Sequence, residues 1–198
     1  MTSIAPRRTG GLILYTLIFS WGKAHFGCLG REENASSTSP REVTFFRGLN
    51  PSQIATGMDH SMVLCLAGKH SFLYTFGGNQ FGQLGLGVTW QYSVVPQLVD
   101  RLSQVPIVSI SAGSSYSVAV SAKGELYSWG DGMYGKNCTG GGGISCVPKK
   151  IDSFRNLFVT QVSAGKSNGV GLLRNSTKKS RFVTRDFLTL HSYLPKSK

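Results

Sequence analysis

Features for metal, membrane or redox chemistry are scarce in this chain. Its four cysteines, Cys28, Cys65, Cys138 and Cys146, never form a CxxC, and no two of its four histidines sit at ligand spacing, which argues against a structural zinc site. A chain of 198 residues has a core large enough to fold without disulfide staples, so the cysteines read as reduced thiols of an intracellular protein. The apolar run GLILYTLIFSW (11–21) is too short to span a bilayer, which takes about 20 helical residues. Arg7 and Arg8 before it, with Ser20 and Gly22 near its end, give it the outline of a signal peptide, but the repeat described below accounts for the segment better.

Acidic residues are also few, 9 against 21 basic, for a net charge of +12. The excess is not a surface property of the whole chain. Residues 174–198 hold seven basic groups against Asp186 alone, so half of the net charge sits in a tail. That tail reads as a solvated, poorly ordered end, and it is the only segment with the charge to reach nucleic acid or chromatin.

Glycine is plentiful, and it recurs on a period. LIFSWGKAHFGCLG (17–30), LYTFGGNQFGQLGLG (73–87) and LYSWGDGMYGKNCTG (126–140) each join an apolar strand end to a glycine and then reach an aromatic-glycine pair. The aromatics Trp21, Phe76 and Trp129 lead into Gly22, Gly77 and Gly130, and Gly27, Gly82 and Gly135 follow five residues on. Gly57, Gly113 and Gly165 make a second column and Pro40, Pro96 and Pro148 a third, both at intervals of 56 and 52 residues. A shared period of this size signals a propeller, solenoid or array. Alternation in PIVSISAG (106–113) and YSVAVSAKGELYSWG (116–130), with Lys123-Gly124 as a hairpin turn, makes the unit one of strands.

At these residues the chain resembles the regulator of chromosome condensation repeat family. The three Gly-rich segments are similar to its Trp-Gly-x-Asn-x-x-Gly-Gln-Leu-Gly signature, and ATGMDHSMVL (55–64), with His60, to its Ala-Gly-x-x-His-Ser element. The resemblance covers residues 12 to 173 and implies an all-β fold of propeller blades, each a four-stranded antiparallel sheet, typically seven around a shaft. The departures are local: GKNC (135–138) stands where the second copy has GQLG (82–85), and Tyr116 and Asn168 replace His60. At about 54 residues per unit the chain holds some three and a half units against the roughly 4–8 blades of a closed ring, so an incomplete propeller over residues 1–173 and a truncated or partial chain are expected.

Catalytic constellations are absent on inspection. AGKSN (164–168) has Thr160 where a phosphate loop needs glycine, and TGGGGIS (139–145) lacks the lysine and helix start of a phosphate site. Asp59, His60 and Ser61 are adjacent in a strand, which puts His60 on the face opposite the other two and excludes a relay. The aromatic column reads as inter-blade core.

What remains for function is loops and rims. The expectation is a non-catalytic protein-binding module without cofactor or metal, in the cytoplasm or nucleus, with partner loops at 31–42 and 135–146. The resemblance implies two alternatives: a guanine-nucleotide exchange factor acting on a small GTPase, or the regulatory propeller of a larger ubiquitin ligase. The family's ultraviolet-sensing branch uses a Gly-Trp-Arg-His cluster that this chain lacks.

Overall fold

The structure, a computed structural model, describes residues 16–88, 92–154, 157–175 and 187–189. Strands β1 (Phe19–Gly22) and β2 (Ser37–Glu42) form an antiparallel pair. Strands β3 (Pro51–Thr56), β4 (His60–Ala67), β5 (His70–Gly78) and β6 (Tyr92–Leu98) make a four-stranded antiparallel meander. A second meander follows in β7 (Ile107–Ala112), β8 (Tyr116–Ser121), β9 (Leu126–Gly130) and β10 (Ser145–Lys150). The last sheet orders β11 (Leu157–Ala164), β12 (Gly169–Asn175) and β13 (Phe187–Thr189). These are propeller blades, and among the described residues they do not close into a ring.

Three hydrophobic clusters fill the spaces between consecutive sheets. Val63, Cys65 and Phe76 face the first sheet, where they meet Val43 and Phe46. Met62, Leu64 and Leu73 face the other way, toward Ile107, Ala119 and Trp129. β4 is therefore buried on both sides, and its alternation separates two cores rather than core from solvent. The same holds for β8, where Tyr116, Val118 and Val120 turn to the last sheet and Ala119 to the preceding one.

The proline column falls on the outermost strands. Pro40, Pro96 and Pro148 lie in β2, β6 and β10, each inside a register irregularity of its pairing with the third strand. Proline lacks the N–H that a central ladder needs, so an edge strand with a bulge is where the sheet tolerates it. A further column escapes a reading based on glycine: Val43, Val99 and Ile151 open short 3-10 turns whose Phe46, Leu102 and Phe154 plug the cores. Backbone bonds tether this column alike, from Val43 N to Ile18 O, Val99 N to Leu73 O and Ile151 N to Leu126 O.

Three expectations need adjustment. Trp21 is not inter-blade core: it is 61 % exposed, whereas Phe76 and Trp129 are buried, because no described residue packs where a preceding sheet would cover it. The segments 31–42 and 135–146 are not wholly loop, since Ser37–Glu42 is β2 and Ser145 opens β10. The basic tail, 174–198, lies outside the described residues apart from the ends of β12 and the short β13.

Because Leu102 plugs a closed core while Ile54 stands open to solvent, Leu102→Ala is expected to cost about 2–5 kcal/mol of unfolding free energy and Ile54→Ala less than about 1. Urea denaturation of the two variants, compared at equal m-value, checks the difference.

Candidate interaction surface

In an antiparallel meander the loops between first and second strands share one end of the sheet with those between third and fourth. Residues 57–59 and 113–115 of the first type therefore emerge beside residues 23–36, 79–88 and 131–144 of the second. All the signature glycines belong to this face. Gly22, Gly77 and Gly130 have φ of +102°, +106° and +99°, and Gly27, Gly82 and Gly135 have +78°, +72° and +75°. L-residues rarely adopt such angles, so the turn itself calls for glycine.

Contact explains the Gly57 column, which has no such angle. A Cβ on Gly57 would stand 2.3 Å from the Gly113 carbonyl oxygen, and one on Gly113 would stand 2.7 Å from that of Gly165. Each also closes a turn onto the residue three places on, with Gly57 N donating to His60 O (2.8 Å), Gly113 N to Tyr116 O (2.9 Å) and Gly165 N to Asn168 O (2.7 Å). The columns are thus three copies of one backbone device.

His60, the residue at the heart of the motif, is sealed into the junction between the two complete meanders. Its Nε2 lies 2.9 Å from Ser117 Oγ, which itself donates to the Gln83 carbonyl at 2.7 Å. Since the serine proton is committed to that carbonyl, His60 supplies the proton of the first bond and is the Nε2–H tautomer. Trp129 Nε1 donates to the same carbonyl at 2.9 Å. Nδ1 of His60 has no partner, and burial holds the imidazole neutral by pushing its pKa down to about 4, with only partial opposition from the Asp59 charge.

The neighbours of His60 go elsewhere. Asp59 Oδ1 accepts from or pairs with His25 Nδ1 at 2.7 Å, a contact across two sheets, and Ser61 donates to the Cys28 carbonyl at 2.8 Å. The three residue types of a relay are present, but the side chains do not converge. His25 thus has a carboxylate partner that the sequence hides, since 34 residues separate the two.

Above this scaffold the loop face exposes apolar side chains. Met58 is 74 % and Tyr134 70 % exposed, with Met133 and Phe81 beside them on the same end of the sheets. A hollow of 130 Å³ opens among Met58, Phe81, Gln83, Ser114 and Lys166. Beneath Tyr134, Lys136 Nζ meets Asp131 Oδ2 at 2.5 Å in a nearly buried pair. Burial raises the Asp131 pKa, but Lys136, the Met133 N–H and Ser115 outweigh it and hold the carboxyl below the usual range. This pair, with Asn137 donating to the Gly130 and Gly143 carbonyls, fixes the base of the loop that replaces GQLG by GKNC. Asn137 is fully buried, so its amide is spent on the loop. The arrangement offers an apolar, shaped surface with no assembled nucleophile and base, which suits recognition.

Comparison with known proteins agrees with this geometry. The family model described as "Regulator of chromosome condensation (RCC1) repeat" matches residues 17–64, 72–120 and 123–172. Among curated relatives, the chain is 34 % identical over 160 residues to the E3 ubiquitin-protein ligase HERC2 of Homo sapiens, covering 80 % of this chain and 3 % of that protein. It is 32 % identical over 148 residues to the ultraviolet-B receptor UVR8 of Arabidopsis thaliana, covering 75 % of this chain and 33 % of the receptor. Among solved structures it is similar to Prp20p of Saccharomyces cerevisiae, studied for its binding to Gsp1p and histones, with a TM-score of 0.67, 26 % identity, and 78 % and 39 % of the two chains covered. Human WBSCR16 gives a TM-score of 0.66 at 25 % identity, with 80 % and 40 % covered. The chain thus spans a third or less of these curated relatives.

Two outcomes follow from the His60 junction. A histidine whose pKa falls on folding, from the ordinary value near 6.5 to about 4, binds its proton more readily when unfolded. Stability is therefore full above about pH 6.5 and falls as pH drops toward 4, by a few kcal/mol in all; melting curves from pH 7 to 4 should show this loss, and His60→Gln should flatten it. Gly113→Ala drives a Cβ to 2.1 Å from the Tyr116 ring and is expected to lower the melting temperature by several degrees, whereas Gly141→Ala, with open space around it, should leave it within about one degree.

Proposed function

From the premise that the chain belongs to the regulator of chromosome condensation repeat family, we propose that it is a protein-binding module that works without turnover, its partner taken by the loop face. The observation that carries this reading is the exposed Met58, Phe81, Met133 and Tyr134 on loops whose bases are fixed by buried hydrogen bonds. Exposed aromatics and methionines held by a rigid base supply contact area at low entropic cost. The relatives support a protein as the kind of partner, since Prp20p is described by its binding to Gsp1p and histones. A cytoplasmic or nuclear setting is proposed with it, on the cysteines that read as reduced thiols.

Two further readings draw on the relatives. Activity as an exchange factor toward a small GTPase, which the resemblance places in particular loops of a complete ring, would need loops from a larger arc. A regulatory propeller of a larger ligase is favoured by the match to HERC2, of which this chain covers 3 %.

The experiment is a pair. The chain, immobilised, should retain a protein partner from cell extract, and Met58→Asp together with Tyr134→Asp should reduce retention by at least about tenfold without shifting the melting temperature. The same chain at substoichiometric concentration should leave fluorescent-nucleotide release from a panel of small GTPases unchanged. Acceleration abolished by these substitutions would replace the binding reading with the exchange-factor one.

A further inference from the structure

Arg31 occupies a place held by Leu86 in the second copy and Thr139 in the third. It follows Gly30 as Leu86 follows Gly85, yet it carries a guanidinium into a more closed setting than that of the half-buried Leu86. Arg31 is only 8 % exposed; its Nη2 donates to the Ala35 carbonyl at 2.7 Å, while Nε and Nη1 are buried with no partner among the described residues. A buried cation with idle donors is costly unless an anion completes it.

The residue lines a cleft of 640 Å³ between the outer strands of the first two sheets. The other two arginines of the cleft are already matched. Arg41 Nη1 pairs with Glu33 at 2.6 Å, and Arg47 holds Glu42 through two bonds of 2.7 and 2.6 Å. Exposed Glu32 stands at the rim and makes no ion pair with Arg31. Phe45, Val95 and Pro96 give the cleft an apolar wall against which the stem of a side chain could lie.

We propose that this cleft binds an extended acidic segment of a protein partner, with a Glu or Asp carboxylate completing Arg31. The inference rests on the binding-module reading but uses a separate cleft, one that none of Met58, Phe81, Met133 and Tyr134 lines. Charge complementarity selects the occupant: Arg31 is the one arginine of the lining without a carboxylate, and the volume suits several residues of peptide. Reaching the covered donors requires the rim side chains to move, and exposed Glu32, Glu33 and Arg41 exchange rotamers on picosecond to nanosecond times.

The test uses the full chain, labelled with nitrogen-15, and a decapeptide of glutamates as probe. Saturable shifts of the Arg31 Nε–H resonance and of backbone amides at 30–33 and 94–95 are expected, with no such shifts from a decapeptide of glutamines. Arg31→Leu, which restores the residue type of the second copy, should keep or raise the melting temperature and weaken peptide binding by about tenfold or more. If that variant misfolds, Arg31→Gln serves in its place, since it shortens the side chain and removes the charge. Absent saturation, binding unchanged in both variants, or equal shifts from inorganic phosphate would overturn the proposal. Because Met58 and Tyr134 do not line this cleft, retention of a partner lost only in their variants separates failure here from failure of the loop-face reading.

Discussion

Main chain meets main chain where consecutive sheets come together at the loop face, and the rest of the fold is arranged around that approach. The column Gly57, Gly113, Gly165 leaves no room for a Cβ between one turn and the next carbonyl. Close contact at this end, set against bulky Phe46, Leu102 and Phe154 at the other, fixes how each sheet leans on its neighbour. Packing at interior density cannot absorb an extra methyl there without moving a whole sheet. The signature is thus less a sequence of preferred residues than a specification of where backbone must touch backbone.

Around this constant, the polar bonds that lock each junction vary. Between the first two sheets, Ser61 donates to the Cys28 carbonyl and Phe76 stacks over Gly30 without donating. Between the two complete meanders, the equivalent carbonyl of Gln83 takes two donors, Ser117 and Trp129, and His60 backs the serine. At the third junction the serine column holds Gly169, and Tyr116, in the place of His60, donates instead to the Asn168 carbonyl at 2.5 Å. The middle junction carries the most buried side-chain bonds of the three, with His60 Nδ1 left unpaired, and losing any of them would strand a donor or acceptor.

The strand class, the blade and its period were legible because L-residues rarely adopt the φ near +100° of Gly22, Gly77 and Gly130, so that column stays glycine and stands out in the sequence. Gly22, Gly77 and Gly130 could be aligned without knowing the fold. The proline column was equally visible, though its meaning, an outer strand with a bulge, needed the pairing. Less legible were features set by contacts across sheets. Nothing local marks the His25 and Asp59 pair, and Trp21 looks identical to Trp129 although one is bare and the other sealed. The column of Val43, Val99 and Ile151 keeps the period but varies in side chain, so it carries no local emblem. Arg31 was visible as a residue, but its isolation was not, because a missing partner is a property of space.

The replaced turn shows how a loop can change while its scaffold does not. In the second copy Asn79 organises the turn, accepting from Leu84 N at 3.0 Å and donating to the Val88 carbonyl at 2.8 Å. The third copy puts Gly132 in that column, and a Cβ there would lie 2.8 Å from the Asn137 side chain. Asn137, in the column of Leu84, has turned into the space that Asn79 fills in the other copy, and it donates to the Gly143 carbonyl much as Asn79 does to Val88. One amide does the work from either side of the turn. What this exchange preserves is a rigid base, and what it releases is the tip: Gly140, Gly141 and Gly142 have open space where a side chain would go. A fixed base with an unconstrained tip lets the loop diverge without cost to the core, which is the condition under which one blade design can be fitted to different partners.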